Sequence, residues 1–141
     1  MPDITKFNCF SRDLATKKHD LSADVFKLML TPVLPVAANS VYSDVSAGEL
    51  ATGFGYTAGG QIAVNSGIIL TGAVTKWNLQ NPLWTFTGAA GTFRYAILYN
   101  ATQTSPLYPL IGWYDYGSVI TPGSGDTFTE TFNAAGVLTV T

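Results

Sequence analysis

The chain has 141 residues and a net charge of −2, and 47% of its residues are hydrophobic while only 11% are charged. A weakly negative chain has no basic surface that could neutralise a phosphate backbone, so we expect no nucleic-acid partner. So few charges on one domain-sized chain predict either a large core under a neutral polar surface or a surface that faces other proteins.

The sequence contains one cysteine, which excludes an internal disulfide and fits a reducing compartment or a protein stabilised by assembly. The first residues lack the apolar stretch of a signal peptide, so we expect no secretory export. No run reaches the roughly 20 apolar residues of a membrane span, and we expect no membrane partner.

Apolar side chains recur at spacings of three or four positions within residues 3–18, which predicts an amphipathic helix. They are Ile4, Phe7, Phe10 and Leu14. Such a helix can pack on the sheet of its own chain, or it can be an arm that packs on a neighbouring subunit. We therefore divide the chain into an N-terminal helical arm, residues 1–24, and a single antiparallel β domain, residues 25–141.

The β domain begins with a predicted strand at residues 24–31, which Pro32 and Pro35 end because neither can donate to a ladder. Five glycines then fall within residues 48–60. Part of this stretch matches the relaxed dinucleotide-binding fingerprint, but two glycines would break the helix that must follow it. We expect a structural loop here and no cofactor.

Further strands, rich in β-branched and aromatic residues, are predicted between turn signals. They span residues 61–66, 68–76, 84–87, 93–100, 110–116, 127–132 and 137–140. The last two are predicted to form a hairpin in which Gly136 takes the left-handed position. About eight short strands predict a mainly β fold: an antiparallel β-sandwich, a jelly-roll-like fold or a distorted barrel, with one N-terminal helix.

The most aromatic part of the chain is residues 93–116. Apolar side chains occupy both faces of the strand at 93–100, which predicts a central strand covered on both sides. An antiparallel pair with the strand at 110–116 is expected, although the long connection also allows the two strands to lie in different sheets. In such a pair Arg94 could contact Asp115 across the sheet and fix its register.

Candidate catalytic groups are few. The single histidine, His19, is expected at the exposed end of the helix, where it lacks the partners for a metal site or a triad. Cys9 is expected to be a small buried thiol and not a nucleophile. The carboxylates of Asp126 and Glu130 bracket a predicted strand and would lie about 13 Å apart, too far for the pair of a glycoside hydrolase. We expect no catalytic site and no metal site.

The aromatic residues Trp113, Tyr114 and Tyr116 have two interpretations. Their rings could form an exposed platform that stacks on sugars, or they could pack into the core. Core packing is the interpretation that the strand pattern favours.

Several segments resemble, in the same order, a family of small virion proteins of tailed bacteriophages and prophages. They are KFNCFSRDLATKKHDL at 6–21, VFKLMLTPVLPVA at 25–37, GFGYTAGG at 53–60, FRYAILYN at 93–100, PLIGWYDYGS at 109–118 and FTETFNAAGVL at 128–138. Such proteins resemble capsid decoration (cement) proteins, which sit as trimers where major capsid subunits meet, while others of similar size serve in tails. The resemblance implies a place on the outer capsid surface of a virion, after synthesis in the bacterial cytoplasm, and it supplies no catalytic residues.

These expectations combine into a non-enzymatic structural protein that binds the major capsid protein and copies of itself, as a trimer. The expected contact surface combines the apolar face of the helix with aromatic residues of the second strand. It consists of Phe7, Phe10, Leu14, Trp113, Tyr114 and Tyr116. Two alternatives remain open: a tail structural protein (tube, terminator or tip) and a module that binds host glycans.

Overall fold

The computed structural model describes residues 3–140, and the first two residues of the predicted arm and the last residue of the predicted β domain lie outside it. The chain is mainly β, with 42% of its residues in strands and 9% in helices. Its elements are β1 (Thr5–Lys6), α1 (Cys9–Ala15), β2 (Phe26–Thr31), two 3₁₀ turns (Tyr42–Asp44 and Ser46–Gly48), β3 (Gln61–Ala63), β4 (Asn65–Thr71), β5 (Val74–Leu79), β6 (Leu83–Thr85), β7 (Phe93–Asn100), β8 (Leu110–Ile120), β9 (Thr127–Thr129) and β10 (Leu138–Val140).

The largest sheet has five antiparallel strands in the order β1-β8-β7-β2-β3. β7 lies at its centre and is buried on both faces, which confirms the predicted central strand and its antiparallel pair with β8 in one sheet. The pairing brings Arg94 to Asp115, where Arg94 Nε donates to the Asp115 Oδ1 atom at 2.8 Å. The expected cross-strand ion pair is therefore confirmed.

Each face of this sheet carries its own core, because side chains alternate along the strands. One core joins Leu28 of the large sheet to Trp77 and Trp84 of the smaller sheets. The other joins Met29, which points to the opposite face, to Phe7 from the N-terminal segment. Burial of both faces explains why β2 and β7 are apolar almost throughout.

Two smaller antiparallel sheets complete the fold. One has the order β10-β5-β4, and the other pairs β6 with β9. The arrangement is consistent with a sandwich-like fold with one helix, as predicted, and the sheets of residues 3–140 do not close into a barrel.

The N-terminal helix is shorter than the predicted span of residues 3–18. Residues before it form β1, in which Lys6 pairs with Gly112 of β8. A Cβ atom at position 112 would lie 2.6 Å from the Cγ1 atom of Ile4. The glycine therefore permits the close approach of β1. The spacing of Ile4 and Phe7, which fitted a helix, belongs instead to the strand segment that precedes α1.

The helix ends with a left-handed residue. Lys17 has a φ of 63°, and the Lys18 backbone N–H donates to the carbonyl oxygen of Asp13 at 2.8 Å, as in a Schellman motif. Phe10, on α1, is buried in the core between the sheets. The segment therefore packs on the sheets of its own chain, the first of the two arrangements considered above.

Two predicted strand arrangements are wrong. The single strand expected at residues 68–76 is two strands, β4 and β5, joined by a two-residue turn in which Gly72 has a φ of 62°. The expected C-terminal hairpin does not form, because β9 pairs with β6 and β10 pairs with β5. Gly136 does have a positive φ, 111°, but the strand that follows this turn, β10, pairs with β5 and not with β9.

The glycine-rich stretch at residues 48–60 is a shaped loop, as expected, held at one point by a carboxylate. The Glu49 Oε2 atom accepts hydrogen bonds from the Tyr56 hydroxyl and the Gly59 backbone N–H, both at 2.6 Å. Gly60, with a φ of 85°, passes close to β2, since a Cβ atom there would lie 1.9 Å from the carbonyl oxygen of Leu28.

Candidate interaction surface

The hairpin of β4 and β5 carries a group of exposed aliphatic side chains. We call Ile68, Ile69, Leu70 and Val74 the hairpin surface. Consecutive residues of a strand point to opposite faces, yet every residue from 66 to 71 is exposed, so this part of the ribbon has solvent on both sides. Leu70 is the most open, with 70% of its surface accessible. The base of the hairpin, by contrast, is anchored in the core by Trp77.

β4 also lies at the edge of its sheet. In the part of the chain that the structure describes, its only strand partner is β5. The pair Thr71 and Val74 closes the two-residue turn, and such a closing pair exchanges its own backbone hydrogen bonds. The alternation of antiparallel pairing then directs the N–H and C=O groups of Ile68 and Leu70 away from β5, toward open solvent.

β4 carries none of the usual protection of an edge strand. Natural edges are blocked by charged side chains, prolines or a covering loop, because unpaired backbone groups recruit other strands. The sequence of β4, NSGIILT, contains neither charge nor proline. Its register irregularity lies at the start of the strand, between Asn65 and Gly67, and leaves the remainder available for pairing.

A second exposed apolar group lies on the loop after β2. We call Val33, Leu34 and Val36 the loop surface; they are 57%, 59% and 61% exposed. The loop is held from beneath, since the Thr31 hydroxyl donates to the carbonyl oxygen of Gly48 at 2.9 Å. These side chains border a groove of about 390 Å³.

Three of the six predicted contact residues are inside the chain. Phe7, Phe10 and Tyr114 are buried, so they do not offer surface to a partner in this structure. Their rings pack in the two cores, because a small domain needs large side chains to fill the space between its layers.

Leu14 is the predicted contact residue that lies next to the hairpin surface. It is half-buried and lines a groove of about 540 Å³ together with Ile68 and Thr75 of the hairpin. Two charged residues, Lys17 and Asp20, stand at the same groove. The end of the N-terminal segment and the hairpin thus form one continuous surface.

Trp113 and Tyr116 do not form an exposed platform with Tyr114. The Trp113 ring lies 4.7 Å, centroid to centroid, from the ring of Phe7, and the Tyr116 ring lies 5.1 Å from that of Phe128. Both are half-buried edges of the cores. The core-packing interpretation of these residues fits their positions.

His19 is buried, contrary to the expected exposed helix end. The side-chain amide nitrogen of Asn100 lies 3.1 Å from its Nδ1 atom, and the ring of Phe10 lies 5.5 Å from its ring. Burial lowers the pKa of His19, so the neutral imidazole is favoured. The chain turns inward after α1, which a sequence pattern dominated by Lys18 and Asp20 did not reveal.

Cys9 is a buried thiol, as predicted. Burial raises the pKa of Cys9 to about 11, which keeps the sulfur protonated at neutral pH. A protonated thiol is a poor nucleophile. In this structure Cys9 packs in the core that contains Phe7 and Met29.

The two carboxylates that bracket β9 differ in their surroundings. Asp126 is exposed and accepts a hydrogen bond from the Gly123 backbone N–H at 2.7 Å. Glu130 is only 1% exposed, and its Oε2 atom accepts a hydrogen bond from the Tyr116 hydroxyl. Burial raises the pKa of Glu130 to about 7. Its other oxygen and the Tyr114 hydroxyl are buried without a hydrogen-bond partner among the described residues.

The hairpin surface is the feature that the sequence analysis missed. Three successive aliphatic residues predict a strand buried on both faces, whereas here they lie on a ribbon beyond the core. The signal that could have revealed it is the Gly72–Ala73 pair within the predicted strand, since an interior glycine favours a turn.

Among residues 3–140, no helix has the length and apolar character needed to cross a membrane. Within the same residues, no three His, Cys, Asp or Glu side chains are grouped so that they could hold a metal ion. A scan of known protein-family models and comparisons with curated proteins and with solved structures gave no match to this chain.

Proposed function

We propose that this chain is a non-enzymatic structural protein of a tailed-phage virion, a capsid decoration protein that binds between major capsid subunits on the outer surface. The observation that carries the proposal is the presence of two exposed aliphatic groups, the hairpin surface and the loop surface, on a chain in which only 11% of residues are charged. The resemblance to small virion proteins gives the setting in which such surfaces would be covered.

Exposed aliphatic side chains indicate a binding surface when they are grouped, but not when they are scattered. Single exposed aliphatics are ordinary, but a contiguous group on one segment marks a contact with protein. An enzyme needs a group that is activated and can reach a substrate, and Cys9, a protonated thiol, and His19 are both buried. Adhesion to other proteins is the activity that these surfaces favour.

We assign the loop surface to the shell. Pro32 and Pro35 restrict the backbone on either side of Val33 and Leu34, so little conformational freedom is lost when the loop is covered. A contact of this size is weak by itself. Repetition at many identical places on a shell raises the effective affinity through multivalency.

The experiment compares phage particles with and without this protein. Particles that lack it should release their DNA at lower temperature or under milder osmotic shock, measured with a DNA-binding dye. Adding purified protein should restore resistance. The Leu34→Lys variant should not restore it, whereas a lysine at an exposed polar position, Ser124→Lys, should.

Location provides the second readout. Gold-labelled antibody against the protein should mark the heads of intact particles in electron micrographs. Label on tails would contradict the decoration role and favour a tail structural protein. Unchanged rupture together with absence from purified particles would contradict a virion role altogether.

A further inference from the structure

We propose that the free edge of β4 is a self-association site. There, β4 of a second copy pairs antiparallel with it, related by a two-fold axis midway between the two Ile69 residues. The pairing joins two three-stranded sheets into one six-stranded sheet. This inference goes beyond the proposed function, because it concerns the free protein and requires no shell.

The backbone defines the register. Ile68 and Leu70 direct their N–H and C=O groups outward, away from β5. If Ile68 pairs with Leu70 of the second copy, the two-fold axis makes Leu70 pair with Ile68 of that copy. All the outward groups of both residues are then hydrogen-bonded, and Ile69 lies directly opposite its own counterpart.

The side chains suit the same register. Ile68 and Leu70 lie on one face of β4, so each would pack beside its partner from the other copy and form a single aliphatic row. Ile68 also lines the groove that contains Leu14, so this row continues onto the N-terminal segment. Ile69 would meet Ile69 of the second copy on the opposite face.

The absence of charge argues for a second copy over an unrelated partner. β4 contains no charged residue, so pairing with itself places no like charges opposite each other, and an acidic or basic strand would find nothing complementary. A cation on the neighbouring strand, Lys76, is paired with Ile69 in the β4–β5 register. Across the axis the two Lys76 residues would be about 14 Å apart, beyond the roughly 8 Å screening length at physiological salt.

Mass measurement of the full-length chain by light scattering and sedimentation velocity tests the site. The wild-type protein should be a dimer at micromolar concentration. Leu70→Lys should weaken the dimer by about a hundredfold while keeping the circular dichroism spectrum, because this side chain is exposed in a single copy. The matched control Leu34→Lys, on the loop surface, should remain dimeric.

Cysteine cross-linking tests the register. Ile69→Cys should form an intermolecular disulfide on mild oxidation, since the paired Cβ atoms would lie about 5 Å apart. Thr71→Cys should not, because the axis separates the two Thr71 positions by about 13 Å along the strands. Native Cys9 is buried and should give no background.

Several outcomes would overturn the inference. They are a wild-type monomer, a trimer of the kind that the resemblance implies, a dimer unaffected by Leu70→Lys, or equal cross-linking of the two cysteine variants. None of these would affect the particle-rupture test, which depends on the loop surface. Conversely, a confirmed dimer whose absence leaves particle stability unchanged would contradict the proposed function alone.

Discussion

At the scale of single residues, Glu130 is the buried carboxyl group whose ionisation should affect stability near neutral pH. Burial raises its pKa to about 7, from 4.5 for an exposed glutamate. Between these values the folded protein holds a proton that the unfolded chain has released, so the contribution of Glu130 to stability falls as pH rises through this window. His19 acts in the opposite sense, because burial lowers its pKa.

Comparison with Glu130→Gln isolates the glutamate from the histidine. Near pH 4, below both pKa values of Glu130, the variant and the wild-type protein should have nearly equal free energies of unfolding, because both side chains are then mostly neutral in the folded and the unfolded state. At about pH 8 the variant should be more stable by about 3 kcal/mol, because it avoids a buried negative charge. Urea unfolding at a series of pH values measures this difference.

The exposed neighbour Thr129 provides the control for that experiment. Thr129→Asn changes a side chain on β9 without removing a charge, so its stability difference from the wild-type protein should not grow with pH. A Glu130→Gln difference that stays constant from acid to alkaline pH would mean that Glu130 ionises normally in the folded protein.

At the scale of elements, the approach of the glycine-rich loop to β2 depends on Gly60. A Cβ atom there would meet the Leu28 carbonyl at 1.9 Å and the Met29 Cα at 2.8 Å. β2 lies between two neighbours in the large sheet and cannot move away. We therefore expect Gly60→Ala to lower the free energy of unfolding by about 3 kcal/mol or more.

Gly125→Ala separates the steric clash from backbone strain. Gly125 has nearly the same φ, 86° against 85° for Gly60, but a Cβ atom there meets nothing within 4 Å. This control should cost about 1 kcal/mol, the price of a left-handed alanine alone. Equal losses in chemical denaturation of the two variants would show that the loop can move away from β2.

The same elements show which parts of the fold a sequence pattern can predict. β7 and β8 were predicted correctly because their alternation and their aromatic content are local properties of the chain. The partners of β9 and β10 were not, because Gly136 specifies a turn but says nothing about which distant strand the chain meets next. Pairing between elements far apart in sequence is decided by the packing of the whole core.

The candidate surface was less predictable than the fold. Phe7, Phe10 and Tyr114 were expected at an interface, yet they fill the cores of the chain itself. Ile68 and Leu70 were expected in a single strand with no interface role, yet they are exposed on a hairpin. An apolar side chain is equally suited to a core and to an interface, so hydrophobicity alone cannot distinguish them, and the distinction needs the tertiary position of the strand.

At the scale of the whole molecule, low charge and exposed aliphatic groups predict that association is driven by burial of aliphatic surface and not by attraction between charges. Burial of aliphatic surface is insensitive to simple salts, whereas attraction between exposed charges is screened by them. The dissociation constant of the proposed dimer should therefore change by less than about threefold between about 0.05 M and about 1 M sodium chloride. Sedimentation equilibrium over this range measures it.

The Leu70→Lys variant is the control for this salt series. Its two copies each bring a lysine to the shared edge, so salt should strengthen whatever association remains by screening the repulsion. If the wild-type dimer instead weakened tenfold or more in high salt, charged groups beside the groove, such as Lys17 and Asp20, would be holding the copies together. The contact would then be ionic, and the aliphatic edge of β4 would not be its main source of affinity.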